Sequence, residues 1–374
     1  FDGDIEIEFD QYVVRFEALP EGDGLFDRGT LGFEFRQRDQ ESRGRTVLSP
    51  GGEISSFGVF AYEERQFRLL LVQAGLRYDH IETEGDSGKT TATPSFAGTV
   101  GNSYDVVTGA LGGSYPLDDH FTLAANAARG FRAPTLFEQF AQGVHGGVAA
   151  VQLGNPALDP EESLNLDLSL RWRFDRISGD LTVYQNRIDD YIFLTDTGNQ
   201  AANGLPIFIH EQADATLQGV EAEVSIDLAS DWSLRLVLDF IDTENDNTGE
   251  DLPLTPANEV LTELTWQPAT FLGLDRPYAR ASVRYADAKD AAPGEPFQQF
   301  DRNPVFGSAS TESYWLVNFA AGAFLPGPGE RDIRVNVELR NAFDESYRDF
   351  LNTYKGYALN PGRDLRLTLE IPFG

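Results

Sequence analysis

Hydrophobic and polar residues alternate along most of the chain with a period of two. The clearest run, residues 164–172, alternates leucine or tryptophan with asparagine, aspartate, serine or arginine. Successive side chains of a β-strand point to opposite faces, so this run predicts a strand with one apolar and one polar face. The same reasoning along the chain predicts an all-β protein of fifteen strands, at residues 3–18, 24–38, 53–66, 69–83, 102–115, 119–130, 161–174, 177–192, 213–228, 231–245, 257–267, 276–287, 312–324, 330–342 and 361–373.

The predicted connections alternate between short turns and long loops. Short turns fall near residues 67–68 and 175–176, and long loops fall near 84–101, 131–160 and 193–212. A β-sandwich would also alternate apolar and polar residues, but short turns at one end and long loops at the other are typical of a transmembrane, antiparallel, up-and-down β-barrel. Aromatic residues near the strand ends suit a girdle at the membrane interface. They are Tyr115, Phe121, Trp172, Phe174, Trp232, Trp266, Tyr278 and Trp315.

Composition narrows the class of protein. The sequence has no run of about 18 apolar residues, so no helix is predicted to cross a membrane. The formal net charge of −31 argues against nucleic acid as a partner, because that ligand selects clustered lysine and arginine. The acidic surface either attracts cations or serves solubility alone. Because cysteine is absent, the chain has no disulfide framework and no thiolate metal site.

The number of predicted strands indicates an incomplete barrel. Bacterial single-chain barrels usually have an even number of strands, whereas fifteen are predicted here. An unpaired strand edge in lipid would leave backbone N–H and C=O groups without partners, which is costly. We therefore expect further strands before Phe1 in the native protein, with a miscounted strand as the alternative.

Six sequence motifs resemble the barrel of TonB-dependent outer-membrane receptors. They are GFRAPTLFEQF at 130–140, GNPALDPEESLNLDLSLRW at 154–172, YQNRIDDYIF at 184–193, LQGVEAEV at 217–224, NAFDESYRDF at 341–350 and NPGRDLRLTLEIPF at 360–373. The resemblance implies a barrel of about 22 strands closed by an N-terminal plug domain, and a TonB box that couples it to the inner membrane. Residues 1–374 would then be the C-terminal part of the barrel, without the plug and the first strands.

Two histidines in predicted long loops are candidate metal ligands. His145 lies in a GVHGG segment, and His210 precedes Glu211 at the end of the loop predicted at 193–212. Neutral imidazole binds zinc well, and the segment around His145 resembles the corresponding region of zinc-uptake receptors of the same family. His145, His210 and Glu211 are therefore the predicted metal site, with solvated loop side chains as the alternative.

The resemblance also implies a function. It is that of a receptor in the bacterial outer membrane, which binds a scarce nutrient and imports it into the periplasm with energy transmitted by TonB. The cargo would be a metal ion such as zinc, iron chelated by a siderophore or haem, or a vitamin-like compound, and no resident cofactor is expected. Expected partners are outer-membrane lipid and lipopolysaccharide, TonB through the N-terminal region, the ligand, and a surface lipoprotein. A passive porin or structural outer-membrane barrel is one alternative, and an outer-membrane enzyme is another.

Overall fold

The computed structural model describes residues 5–20, 28–44, 48–87, 98–145, 150–290, 310–327, 332–352, 355 and 358–372. The predicted strand ends at 3–4, 24–27, 330–331 and 373, and parts of the predicted turns and loops, lie outside these ranges. Within the described residues, eighteen β-strands form one sheet, and one short helix accompanies them. No helix among these residues is both long and apolar enough to cross a membrane.

The strands confirm the predicted fold class. Fifteen of them are long, and each falls on one predicted segment. They are β1 (Ile5–Ala18), β2 (Arg28–Gly44), β3 (Gly52–Phe67), β4 (Leu70–Asp86), β5 (Thr99–Pro116), β6 (Phe121–Arg132), β9 (Glu161–Arg173), β10 (Ile177–Gln200), β11 (Pro206–Ala229), β12 (Trp232–Asn245), β13 (Glu259–Trp266), β15 (Leu274–Ala286), β16 (Tyr314–Pro326), β17 (Asp332–Arg340) and β18 (Asp364–Glu370). The remaining elements are α1 (Leu136–Phe140), β7 (Gln142–His145), β8 (Ala150–Leu153) and β14 (Thr270–Phe271).

The long strands pair antiparallel in the order of the sequence. β6 pairs with β9, because α1, β7 and β8 belong to the connection between them, and β13 pairs with β15 across the two-residue β14. β8 differs from the others, because it runs parallel to β11. This up-and-down order places the short turns at one end of the sheet and the long loops at the other.

One face of the sheet exposes an apolar belt. In β9, Leu166 and Leu168 are 45% and 46% exposed, whereas Ser169 is only 8% exposed. The strand registers align such leucines with apolar neighbours, since Leu168 lies beside Ala125 of β6 and Val183 of β10. We call this the outward face and the opposite one the inward face. Exposed leucine and buried serine reverse the pattern of a soluble sheet and suit a hydrocarbon medium outside the barrel.

The belt is as deep as a membrane requires. In β4 the outward row is apolar from Leu70 to Tyr78 and becomes polar at His80, whose Nδ1 lies 2.9 Å from Asp105 Oδ1. In β9 and β12 the corresponding rows occupy residues 164–172 and 232–240. A membrane strand needs roughly 9–11 residues, so these rows match the thickness of the hydrocarbon core.

The structure agrees with the predicted aromatic girdle at Trp232 and Trp266 but not at Tyr278. Trp232 and Trp266 lie side by side on the outward face at the short-turn end, with ring centroids 6.2 Å apart. Tyr278 instead points inward, where its hydroxyl donates a hydrogen bond to Asn336 Oδ1 at 3.2 Å. Its ring fills the space beside Gly322, where an added Cβ would lie 2.6 Å from it. The prediction of Tyr278 as a girdle residue was therefore wrong.

The prediction of a long loop at 193–212 was also wrong. β10 and β11 are 24 residues long each, and only residues 201–205 separate them. Gly204 has φ +79° and closes the turn, since its N–H donates to Ala201 O at 2.8 Å. The Asn203-Gly204 pair is a strong hairpin signal. At the start of β11, Ile207, Phe208 and Ile209 are three consecutive apolar residues, so alternation does not mark this part of the strand.

Candidate ligand-binding site at the long-loop end

The connection between β6 and β9 folds back over the inward face. It contains α1, whose N-cap Thr135 accepts a hydrogen bond from the Glu138 N–H, while the Glu138 side chain accepts one from the Thr135 N–H at 2.8 Å. This reciprocal arrangement is a capping box, and it satisfies two helix-end donors in a helix of only five residues. The sequence TLFE therefore fixes a local turn of helix within the loop.

Arg132, at the end of β6, holds this helix to the sheet. Its guanidinium donates to both carboxylate oxygens of Glu161, each at 2.7 Å, and to Glu138 Oε2 at 2.8 Å. Burial would raise the pKa of Glu138, but the hydrogen bonds from Arg132 and Thr135 outweigh it and lower that pKa. Glu161 Oε1 also accepts the N–H of Ile192 in β10 at 2.8 Å. One cluster of charges thus joins β6, α1, β9 and β10.

Gln139 docks the other side of α1 against β4 and β5. The side chain is completely buried, and its Nε2 donates to Thr83 Oγ1 at 3.0 Å and to Pro134 O at 2.9 Å. Its Oε1 accepts from Asn102 Nδ2 at 2.9 Å. Thr83 and Asn102 are partners in the β4–β5 register and share the inward face. The loop therefore lies inside the mouth of the barrel wall rather than standing above it.

Close backbone contact completes this inserted loop, which we define as residues 133–145 and 150–160. Gly154 N donates to Ala141 O at 2.7 Å. A Cβ at Gly154 would lie 2.5 Å from Gln139 C and from Phe140 N, so glycine is needed for the close approach. Farther on, Tyr104 OH donates to Leu158 O at 3.2 Å. The inserted loop is held along its length by contacts to the inward face.

The structure places two of the three predicted metal ligands beside β8. His145 ends β7, and its Nδ1 lies 3.1 Å from Gln152 Oε1 of β8. His210 is buried in β11, with its Nδ1 3.1 Å from Leu153 O, and its ring meets Phe137 edge to face at 5.4 Å. Burial lowers the pKa of His210, which favours the neutral form of the ring. Glu211 is exposed and next to His210 in the same strand, so the two side chains point to opposite faces.

These three residues do not form one compact group. Among the described residues, no cluster of three or more His, Cys, Asp or Glu side chains is arranged to hold a metal ion. His145 and His210 both contact β8, but each uses its Nδ1 for a protein oxygen. Nε2 of His145 is then the nitrogen through which that ring would bind zinc. The zinc site remains a prediction.

A cavity of about 770 Å³ lies on the inward face between β13 and β18. It reaches from the middle of the sheet to the long-loop end. Five arginines and three carboxylates line it: Arg280, Arg284, Arg340, Arg363 and Arg366, with Glu263, Glu338 and Asp364. Sequence reasoning missed this cavity. The arginines are far apart in the chain, and only the registers between β15, β16, β17 and β18 bring them onto one wall.

Comparisons with known proteins agree with this architecture. A family model described as TonB dependent receptor-like, beta-barrel matches residues 4–342. The ferric enterobactin receptor of Pseudomonas aeruginosa is 26% identical over 281 residues, which cover 66% of this chain and 35% of that protein. The heme/hemopexin utilization protein C of Haemophilus influenzae is 24% identical over 310 residues, which cover 78% of this chain and 40% of that protein. The matched regions thus span less than half the length of these curated relatives.

A solved structure shows the same fold. The copper transporter OprC superposes with a TM-score of 0.78 at 17% sequence identity, over 96% of this chain and 56% of that one. At this identity the match concerns the arrangement of strands, not the ligand.

Proposed function

The chain belongs to the TonB-dependent receptor β-barrel family, and on that premise we propose that it forms part of the wall of an outer-membrane receptor that imports a scarce nutrient into the periplasm. It is an outer-membrane protein, and its family is one of transport receptors rather than enzymes. The match over residues 4–342 carries the proposal. The outward apolar belt and the polar inward face, onto which the inserted loop folds, support it.

We further propose the domain organisation that the resemblance implied. Residues 1–374 would form the C-terminal part of a barrel of about 22 strands, and an N-terminal plug that TonB pulls would release the ligand inward. The 35% and 40% shares of the two relatives that the matches cover are in keeping with a longer protein. Lipopolysaccharide and a surface lipoprotein remain proposed partners.

The cargo we propose is a metal-containing compound. The names of the relatives refer to ferric enterobactin and to heme. Bare zinc bound by His145, His210 and Glu211 is a separate proposal within the same function. A vitamin-like cargo also stays a proposal, because another relative is named a vitamin B12 transporter.

Uptake by living cells tests the transport function. We expect that deletion of the gene abolishes uptake of one radiolabelled cargo among zinc, ferric siderophore and haem under starvation for that metal. The whole gene should restore uptake in a strain with TonB but not in a strain without it. Restoration without TonB would favour the passive porin. Unchanged uptake of every cargo in the deletion strain would contradict the proposal.

A further inference from the structure

A groove of about 670 Å³ interrupts the apolar belt on the outward face, near its short-turn end. We call it the outward groove. Small side chains and large ones both line it: Ala279, Ala281 and Ala321, with Trp266, Phe271 and Phe319 beside them. An alanine reaches less far from the sheet than an aromatic ring does. The alanines therefore form the floor of the groove and the rings form its walls.

The strand registers explain why the floor is low at this place. Ala279 of β15 and Ala321 of β16 are partners, with Trp266 of β13 on one side of the pair and Val337 of β17 on the other. Phe271 belongs to the turn between β13 and β15, and its ring meets Trp266 edge to face with centroids 4.9 Å apart. Two small residues thus lie side by side within a frame of large ones.

The outward groove offers a ligand apolar contact and little else. Among the described residues that line it, Arg280 alone carries a charge. Its side chain points to the inward face, where its Nε lies 3.3 Å from Glu263 Oε1. A polar ligand would lose its hydration in the groove without gaining a hydrogen-bond partner, which is costly. The occupant must therefore be hydrocarbon.

The groove is continuous with the belt, so membrane lipid reaches it directly. An unfilled gap would forfeit dispersion contacts, and a flexible acyl chain can follow a concave surface. A second copy of the chain fits less well, because the same patch meets itself in a two-fold dimer and a groove does not fill a groove. Short turns of outer-membrane barrels face the periplasm. This end of the belt therefore lies in the periplasmic leaflet, which consists of phospholipid.

We propose that the outward groove binds an acyl chain of a phospholipid from the periplasmic leaflet and holds it more tightly than the surrounding lipid is held. The chain lies on Ala279 and Ala321, between the rings of Trp266, Phe271 and Phe319. This site is independent of the proposed transport function, because it lies on the opposite face of the sheet from any imported cargo.

Lipid that stays with the protein during purification tests the proposal. The whole protein would be extracted from outer membranes in mild detergent, and its bound lipid identified by native mass spectrometry and quantified by phosphorus assay. We expect a stoichiometric phospholipid on the wild-type protein. Ala321→Phe should remove most of it, because the added ring fills the floor. Phe271→Ala should also reduce it, because a wall of the groove is lost.

Each variant has a matched control. Ala125→Phe makes the same change on the outward face of β6, outside the groove. Leu272→Ala changes the next residue of the same turn, which is 86% exposed and does not line the groove. Both controls should keep the phospholipid, and unaltered heat-modified gel mobility would establish that each variant is folded.

The wild-type protein alone can refute the site. Absence of retained phospholipid, or retention of lipopolysaccharide in its place, would overturn the proposal. A lipid-free dimer that Ala321→Phe separates into monomers would overturn it as well, since a second copy would then be the occupant. So would equal phospholipid content in folded Ala321→Phe and Ala125→Phe.

Discussion

Two ion pairs join β6 to β9 near the long loops, on opposite faces of the same sheet. On the outward face Arg129 pairs with Glu162, and both side chains are well exposed. On the inward face Arg132 binds Glu161 and Glu138, whose side chains are only 12% and 16% exposed. The outward pair lies just above the apolar belt, and its position follows from the surrounding medium. The inward pair holds the inserted loop, and its position follows from specific contacts. The two faces can therefore be tested with different substitutions.

The largest effect is expected in the belt. Leu236 is the third of the five outward residues of β12, near the middle of the membrane. Leu236→Arg should cost about 2–4 kcal/mol of folding free energy, since it places a charge in hydrocarbon. Arg235→Leu is the control. It breaks the pair in which Arg235 Nη2 lies 2.7 Å from Glu223 Oε2, but both side chains are about 40% exposed, so the cost should stay below about 1 kcal/mol.

Refolding of the whole protein into lipid vesicles against denaturant would measure both variants. Equal losses in Leu236→Arg and Arg235→Leu would mean that the outward and inward faces are assigned incorrectly.

The belt is also the part of the fold that the sequence predicted best. Each outward row repeats a hydrophobic residue at every second position, and lipid on one side makes that pattern strict. The inserted loop obeys no such rule. Gln139 contacts Thr83, which is 56 residues away in the sequence. The five arginines that line the cavity come together only through the registers of four strands. Such contacts cannot be predicted from local periodicity. His145 and His210 were chosen for their chemistry, and the structure places both beside β8 without joining them to Glu211.

The inward ion pair should matter more than the outward one. Arg132→Gln leaves two nearly buried carboxylates without their cation, and we expect a loss of about 3 kcal/mol in the local stability of the inserted loop. Arg129→Gln removes an exposed pair on the outward face and should change local stability by less than about 1 kcal/mol. Hydrogen exchange of residues 136–145 would measure both. Similar exchange in the two variants would contradict the role assigned to Arg132.

Packing at Gly154 gives a smaller expected effect. Gly154→Ala would push a methyl group against the backbone of Gln139 and Phe140, and overpacking of this kind should cost about 1–2 kcal/mol. Gly75→Ala is the control, because a Cβ at Gly75 would have no atom closer than 3.8 Å. Limited proteolysis within the inserted loop should rise in Gly154→Ala and not in Gly75→Ala. Equal cleavage of the two variants would show that the close approach at Gly154 does not hold the loop.

The zinc hypothesis predicts an effect on affinity rather than on folding. His145 is half-buried and contacts Gln152 of the inserted loop through its Nδ1. His145→Ala should therefore leave the loop folded while weakening zinc binding about tenfold or more. His210→Ala would weaken zinc binding too, but it also empties a buried site beside Phe137 and should loosen the inserted loop. His120→Ala, at the short-turn end, should change neither property. Calorimetric titration of the whole protein with zinc chloride separates the cases, and unchanged zinc affinity in His145→Ala would contradict the zinc hypothesis.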